Sequence, residues 1–367
     1  MAAQPSLPLP PLIVDAHEDI AWNWLEFGRD PRENAYDVRA RESGTWIISA
    51  AGQRTTGLPQ WIQGRIGIIF ATLFVMPRSH AWTASLTQVY STPQEAHQRA
   101  VEQMDRYHEL AAGDAFRLIT SRQALDDVLA AWSPERSQPP PIGLVIAMEG
   151  ADPIETPDQV AEWYARGLRI IGPAWAATRY AGGTGEPGPL TELGRGLLRA
   201  MAEFRMILDL SHSAEEAFFE AVDSYAGPII ASHSNPRAFL PTDRGLSDEM
   251  IRRLAGRGGV IGIVPYNSYL MPGWEAGDPR SLVTVETVAQ AVDYVAQLTG
   301  SVENVGLGSD FDGGFGADSL PEGMDTIADL QQIADALAAW GYTAEQVEAV
   351  MSNNWLRVLR EALDAEG

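Results

Sequence analysis

The sequence predicts an α/β protein folded as a (β/α)8 TIM-type barrel, and three observations carry that expectation. Eight short apolar runs recur along the chain, separated by longer stretches with helical patterning. Helix-start signals fall between the runs. The length, 367 residues, suits one large barrel domain with room for added loops.

The runs are 12–15, 66–74, 142–149, 168–172, 206–210, 228–232, 259–264 and 305–309. They are rich in β-branched residues and leucine and are bounded by glycine, proline or polar residues, as strands covered on both faces are. Parallel neighbours need a crossover, which the helical stretches supply, and eight such strands close a packed ring. An open doubly wound sheet is the alternative. Helix starts are marked by Thr92-Pro-Gln-Glu95, Thr156-Pro-Asp-Gln159, Ser213-Ala-Glu-Glu216 and Thr343-Ala-Glu-Gln346. In each, a hydroxyl is placed to accept from an orphan N–H while the Glu or Gln three residues on reaches back. Leu193, Leu197, Leu198 and Met201 give one helix an apolar stripe. Residues 22–65 fit neither pattern and are expected to be an insertion after strand one, lying over the barrel mouth. Residues 1–367 read as a single domain.

Composition narrows the chemistry. A net charge of −23 lacks the basic footprint that nucleic acid or an anionic membrane requires, so neither partner is expected. No apolar run approaches the roughly 20 residues that span a bilayer. The proline-rich start, MAAQPSLPLPPL, has no basic region followed by an apolar one, so a cytoplasmic protein is expected. Cysteine is absent, which removes disulfides, thiolate metal sites and thiol nucleophiles. Lysine is absent too, all 26 basic residues being arginine, which removes Schiff-base chemistry and a carbamylated-lysine metal bridge. A metal site in this chain must therefore use carboxylates and some of its six histidines.

Polar motifs stand at the C-terminal ends of the expected strands, the face where catalytic groups of a barrel converge. Strand one carries Val14-Asp-Ala-His-Glu-Asp19 and strand three ends in Ala147-Met-Glu149. Strand five runs into Leu208-Asp-Leu-Ser-His212, strand six into Ala231-Ser-His233, and strand eight into Gly306-Leu-Gly-Ser-Asp310. His17 and Asp19 are two apart, so in extended backbone both side chains face the same way. A lone His-x-Asp is a weak signal. Its strength here is the recurrence of such residues at one end of several strands. Of the other histidines, His97 and His108 read as solvated positions on a polar helix, and His80 as a loop residue near the active face.

This set of motifs resembles the renal (membrane) dipeptidase family of the amidohydrolase superfamily, over about Val14 to Asp312. The resemblance implies two divalent metal ions, most simply zinc. His17 and Asp19 would ligate one, His212 and His233 the other, and Glu149 would bridge them. It implies Asp310 as the group that handles the proton of the attacking water, Arg244 as the grip on the substrate carboxylate, and Tyr266 as a substrate contact. The implied reaction is hydrolysis of a dipeptide or related amide by a hydroxide between the ions, in a homodimer.

One position departs from the pattern. The family carries a histidine after strand four, where this chain reads Ile171-Gly-Pro-Ala-Trp175. An indole N–H donates but cannot become cationic. The glycine-rich segment that follows contains Arg179, which is expected either to close over the site and supply the missing positive group or to be an ordinary loop arginine. Trp175 favours a second reading, hydrolysis of another amide, a lactone or a D-configured substrate on the same metals. A metal-binding homologue without activity, or a single-metal oxidoreductase or lyase, are the readings from other classes.

Overall fold

The computed structural model describes residues 10–133 and 139–363. Residues 1–9, on which the absence of an export signal was read, lie outside the described residues. Eight strands form the barrel: β1 (Ile13–Glu18), β2 (Ile66–Phe74), β3 (Ile142–Glu149), β4 (Leu168–Gly172), β5 (Ile207–Asp209), β6 (Ile229–Ala231), β7 (Val260–Ile263) and β8 (Val305–Leu307). Their order around the sheet is β2-β1-β8-β7-β6-β5-β4-β3, and β3 pairs back onto β2. Every one of these pairings is parallel, so the ring is closed and the open-sheet alternative falls away. A short strand at Phe116–Leu118 runs beside the first residues of β3, on the side that β4 takes up further along.

All residues of β1, β2 and β3 are buried, the burial that their continuous apolar runs foretell. Crossover helices cover the outside: Pro93–Ala111, Val160–Ala165, Glu192–Glu203, Glu215–Ser224, Asp248–Ala255 and Val285–Thr299. The stripe on Glu192–Glu203 buries Leu197, Leu198 and Met201, with Leu193 packed at its margin. Where β6, β7 and β8 meet, the chains approach so closely that only glycine fits. A Cβ on Gly262 or Gly308 would lie 1.8 Å from the Ser232 carbonyl oxygen.

The capping signals fared unevenly. Thr343 and Gln346 form the reciprocal box, and Thr92 accepts from the Glu95 N–H. Thr156 makes no such bond and precedes a single 3-10 turn. Ser213 does not cap, because it is bridged to Gly183 and the helix begins two residues later, at Glu215.

Residues 19–65 carry the chain from β1 to β2 through four short helices, Ile20–Phe27, Ala35–Glu42, Trp46–Ala51 and Leu58–Gln63. They are tied to the loop after β8 by one carboxylate. Asp312 accepts from the N–H and hydroxyl of Thr55 at 2.7 and 2.8 Å, and from those of Thr56 at 3.1 and 2.7 Å.

Candidate active site

The C-terminal ends of the strands bring five expected ligands and Asp310 to one place. His17 lies on β1 and Asp19 directly follows that strand, with Glu18 between them turned away onto the Trp61 indole N–H. The Nε2 atom of His17 is 3.8 Å from Asp19 Oδ1, 3.6 Å from Glu149 Oε2 and 3.8 Å from Asp310 Oδ1. On the other side of Glu149, its Oε1 lies 3.1 Å from His212 Nε2 and 3.2 Å from His233 Nε2. Glu149 therefore stands between the His17 group and the His212–His233 pair.

Supporting bonds aim these groups. Thr184 Oγ1 is 3.0 Å from His212 Nδ1, and Ser232 Oγ is 2.7 Å from His233 Nδ1, which leaves each Nε2 facing the centre. Thr72 donates its hydroxyl to Asp19 Oδ1. Asp209 Oδ1 accepts from the backbone N–H groups of Ser211 and Ser232 at 3.0 and 2.9 Å, linking the ends of β5 and β6. His212 and Asp310 adopt left-handed backbone, φ 64° and 55°, a conformation uncommon for residues with side chains and concentrated at functional sites.

The electrostatics set His17 apart from the other two histidines. Burial opposes a charge on His17, but Glu149, Asp19 and Asp310 outweigh it and hold the imidazole up to about 10. Burial likewise opposes ionisation of Glu149, yet the His17 charge, with His212 and His233 at hydrogen-bond distance, brings it well below the usual carboxylate range. Burial, assisted by the Arg244 charge, takes His212 down to about 4, and burial with the His17 charge lowers His233. Burial raises Asp19 to about 6 against the pull of His17, and raises Asp310 well above its ordinary range.

This donor set fits divalent cations. Imidazole nitrogens and carboxylate oxygens suit zinc, iron, manganese or cobalt. His17 Nε2 is buried without a hydrogen-bond partner among the described residues, an orphaned polar atom that coordination to a cation would satisfy. His17 with Glu149 and His233, and His17 with Asp19 and Asp310, are each close enough to share an ion.

A cavity of about 330 Å³ opens over these groups, lined by Asp19, Glu149, His212, Arg244 and Asp310 among others. Arg244 is buried, donating to Ser234 Oγ at 2.9 Å and to the His233 carbonyl, and lies over the Tyr269 ring. Its Nε has no partner among the described residues. Trp175 also lines the cavity, its ring 6.1 Å from that of His212.

Two expected contacts do not line this cavity itself. Arg179 does not line the cavity. It bonds to Asp152 Oδ1 and to the carbonyls of Asp152, Ile154 and Glu155, a set that satisfies its guanidinium without any of the expected ligands. The segment around it instead forms a hairpin, Ala181–Gly183 with Glu186–Leu190, whose turn presents Thr184 to His212. Tyr266 stacks on Phe315 and lines an adjoining recess, while Tyr269, one helical turn later, enters the main cavity. His80, read as a loop residue, lines the cavity wall 3.5 Å from Glu186. His108 is exposed as expected and His97 is half-buried, each lying against a backbone carbonyl. Asp209 belonged to the very motif that revealed His212. Thr72, Thr184 and Tyr269 carried no local signal.

A sequence model of the family described as membrane dipeptidase, peptidase family M19, matches residues 9–366. An uncharacterised protein of Klebsiella pneumoniae, encoded in the pqqA 5' region, is 33% identical over 229 residues, 60% of this chain and 82% of that protein. An uncharacterised dipeptidase of Schizosaccharomyces pombe is 27% identical over 321 residues, 83% of this chain and 72% of its own length. Among solved structures, a metallopeptidase from Rhodobacter sphaeroides, liganded with a phosphinate mimic of the dipeptide L-Ala-D-Ala, superimposes with a TM-score of 0.76. It shares 23% identity over 96% of this chain and 100% of that one.

Proposed function

We infer, since the chain belongs to the membrane dipeptidase family, peptidase family M19, that it is a metal-dependent dipeptidase. The observation that carries the reading is the placement of Glu149 between His17 and the His212–His233 pair, with Asp310 beside His17.

His17, Asp19, Glu149, His212 and His233 would hold two divalent ions, zinc being our first choice. Such ions supply Lewis-acid polarisation of the scissile carbonyl and acidify a water at neutral pH. The protein's own groups do the rest. Arg244, a planar fork of donors, orients the terminal carboxylate of the substrate. Asp310, whose carboxyl burial holds well above its ordinary range, takes a proton from the attacking water and returns it to the leaving amine. Thr72, Thr184, Ser232 and Asp209 keep the ligands aimed, so little reorganisation is needed as charge develops.

Trp175 favours a second substrate class, another amide, a lactone or a D-configured peptide, because an indole replaces the histidine of the family pattern. No helix among the described residues is long and apolar enough to cross a membrane. We propose a cytoplasmic homodimer. A dipeptide panel including L-D pairs, offered to metal-loaded and chelator-stripped protein, tests the reading, and hydrolysis by the loaded form alone is expected.

A further inference from the structure

We propose that the site selects dipeptides whose amino-terminal residue carries a large aromatic or apolar side chain, received by a wall of Trp22, Phe74, Trp82 and Trp175. The proposal rests on the dipeptidase reading and extends it to the substrate.

The wall is continuous. The Trp22 ring lies 5.7 Å from Phe74 and 6.1 Å from Trp82, and Phe74 lies 5.2 Å from Trp175. All four line the cavity over the metal ligands. Trp22 and Phe74 are buried in a small apolar cluster separate from the barrel core, with Phe27, Met76 and Leu86 behind them. Trp175 packs against this cluster, so the wall has a rigid backing. Trp82 is 47% exposed and held by its indole N–H on the Ala50 carbonyl at 3.0 Å, so it stands at the cavity mouth. An exposed tryptophan fixed by its polar end offers an apolar face for a ligand to cover.

Barrel order decides which residue of the substrate meets the wall. Trp22 follows β1, Phe74 ends β2, Trp82 follows β2 and Trp175 follows β4. Arg244 follows β6 and Tyr269 follows β7, on the other half of the rim, while Asp310 follows β8, which adjoins β1. A dipeptide whose carboxylate lies on Arg244 and whose scissile carbonyl lies at Glu149 extends its amino-terminal residue towards the β1, β2 and β4 half. That side chain is the one the aromatic rings meet.

The test compares kcat/KM of the metal-loaded protein for Phe-Gly, Ala-Gly, Lys-Gly, Gly-Phe and Gly-Ala, in wild type, Trp82→Ala and Phe74→Ala. Phe-Gly is expected to exceed Ala-Gly by roughly 10- to 100-fold, the worth of burying one phenyl group. The ratio of Gly-Phe to Gly-Ala is expected to stay near one. Both variants are expected to lower the Phe-Gly to Ala-Gly ratio several-fold, and Trp82, being half exposed, can be removed without opening the core. Cleavage of dipeptides with no amino-terminal preference, or with the preference intact in both variants, overturns the proposal and leaves the dipeptidase reading standing. A preference for Lys-Gly over Phe-Gly also overturns it, since the rings would then be receiving a cation. If no dipeptide is cleaved, the dipeptidase reading fails and the proposal falls with it.

Discussion

The Nε2 atoms of His212 and His233 stand 3.1 Å apart, and the strand ends that bring them there are joined through one carboxylate. Asp209 accepts from the N–H of Ser211 and the N–H of Ser232, the residues directly preceding the two histidines. Removing that carboxylate frees two strand ends at once. Asp209→Ala is expected to weaken metal binding about 10- to 100-fold, the usual worth of a group that orients ligands. A competition titration against a chromogenic chelator measures it.

Thr184 and Arg179 are five residues apart and predict opposite outcomes. Thr184→Val removes the contact on His212 Nδ1 and is expected to lower metal affinity about tenfold. Arg179→Ala breaks bonds to Asp152 and to three carbonyls, none of them made by a residue that lines the cavity. It is expected to leave kcat/KM unchanged and to cost about 1 kcal/mol of stability, discounted because the side chain is part exposed. Denaturant melts beside steady-state kinetics separate the two effects.

Asp310→Asn keeps the shape of the side chain and removes its capacity to take a proton. The expected outcome is a fall in kcat of about 10²- to 10⁴-fold with little change in bound metal. Metal analysis of the purified variant, run beside the kinetics, distinguishes lost proton transfer from a lost ion.

Metal uptake should release a proton. Without metal, His17 is held up to about 10 by Glu149, Asp19 and Asp310 against burial, so near pH 7 it is protonated. A cation needs the Nε2 lone pair, so binding displaces that proton and affinity rises with pH until His17 is neutral on its own. His212, taken down to about 4, is already neutral at pH 7 and releases none. Calorimetric titration at pH 7 in buffers of different ionisation enthalpy counts the protons released.

The barrel and the gathering of the expected ligands at its rim were legible in the sequence because each depends on local pattern. Strands buried on both faces read as apolar runs, and a barrel places the residues that end those runs around one rim. His17, Asp19, Glu149, His212 and His233 all sit at such ends. What was not legible depends on contacts between distant loops. Arg179 looked available for the site until Asp152 and the carbonyls after β3 were seen to occupy it. Tyr266 was the expected contact, and only the helical turn Asn267–Leu270 shows that Tyr269 enters the cavity while Tyr266 stacks on Phe315. The aromatic wall draws on loops after three strands, and only Trp175 stood in a motif. The bond between Asp312 and Thr55 spans 257 positions, and nothing local announces it.

The central claim is that His17, Asp19, Glu149, His212 and His233 hold divalent metal with which this chain hydrolyses dipeptides. The most direct measurement is amine release from a dipeptide panel, L-D pairs included, by metal-loaded protein, by chelator-stripped protein and by stripped protein after metal is restored. The account predicts hydrolysis by the loaded form, its loss on stripping and its return with the metal. Failure of the loaded form to cleave any dipeptide, or equal cleavage by the stripped form, would contradict it.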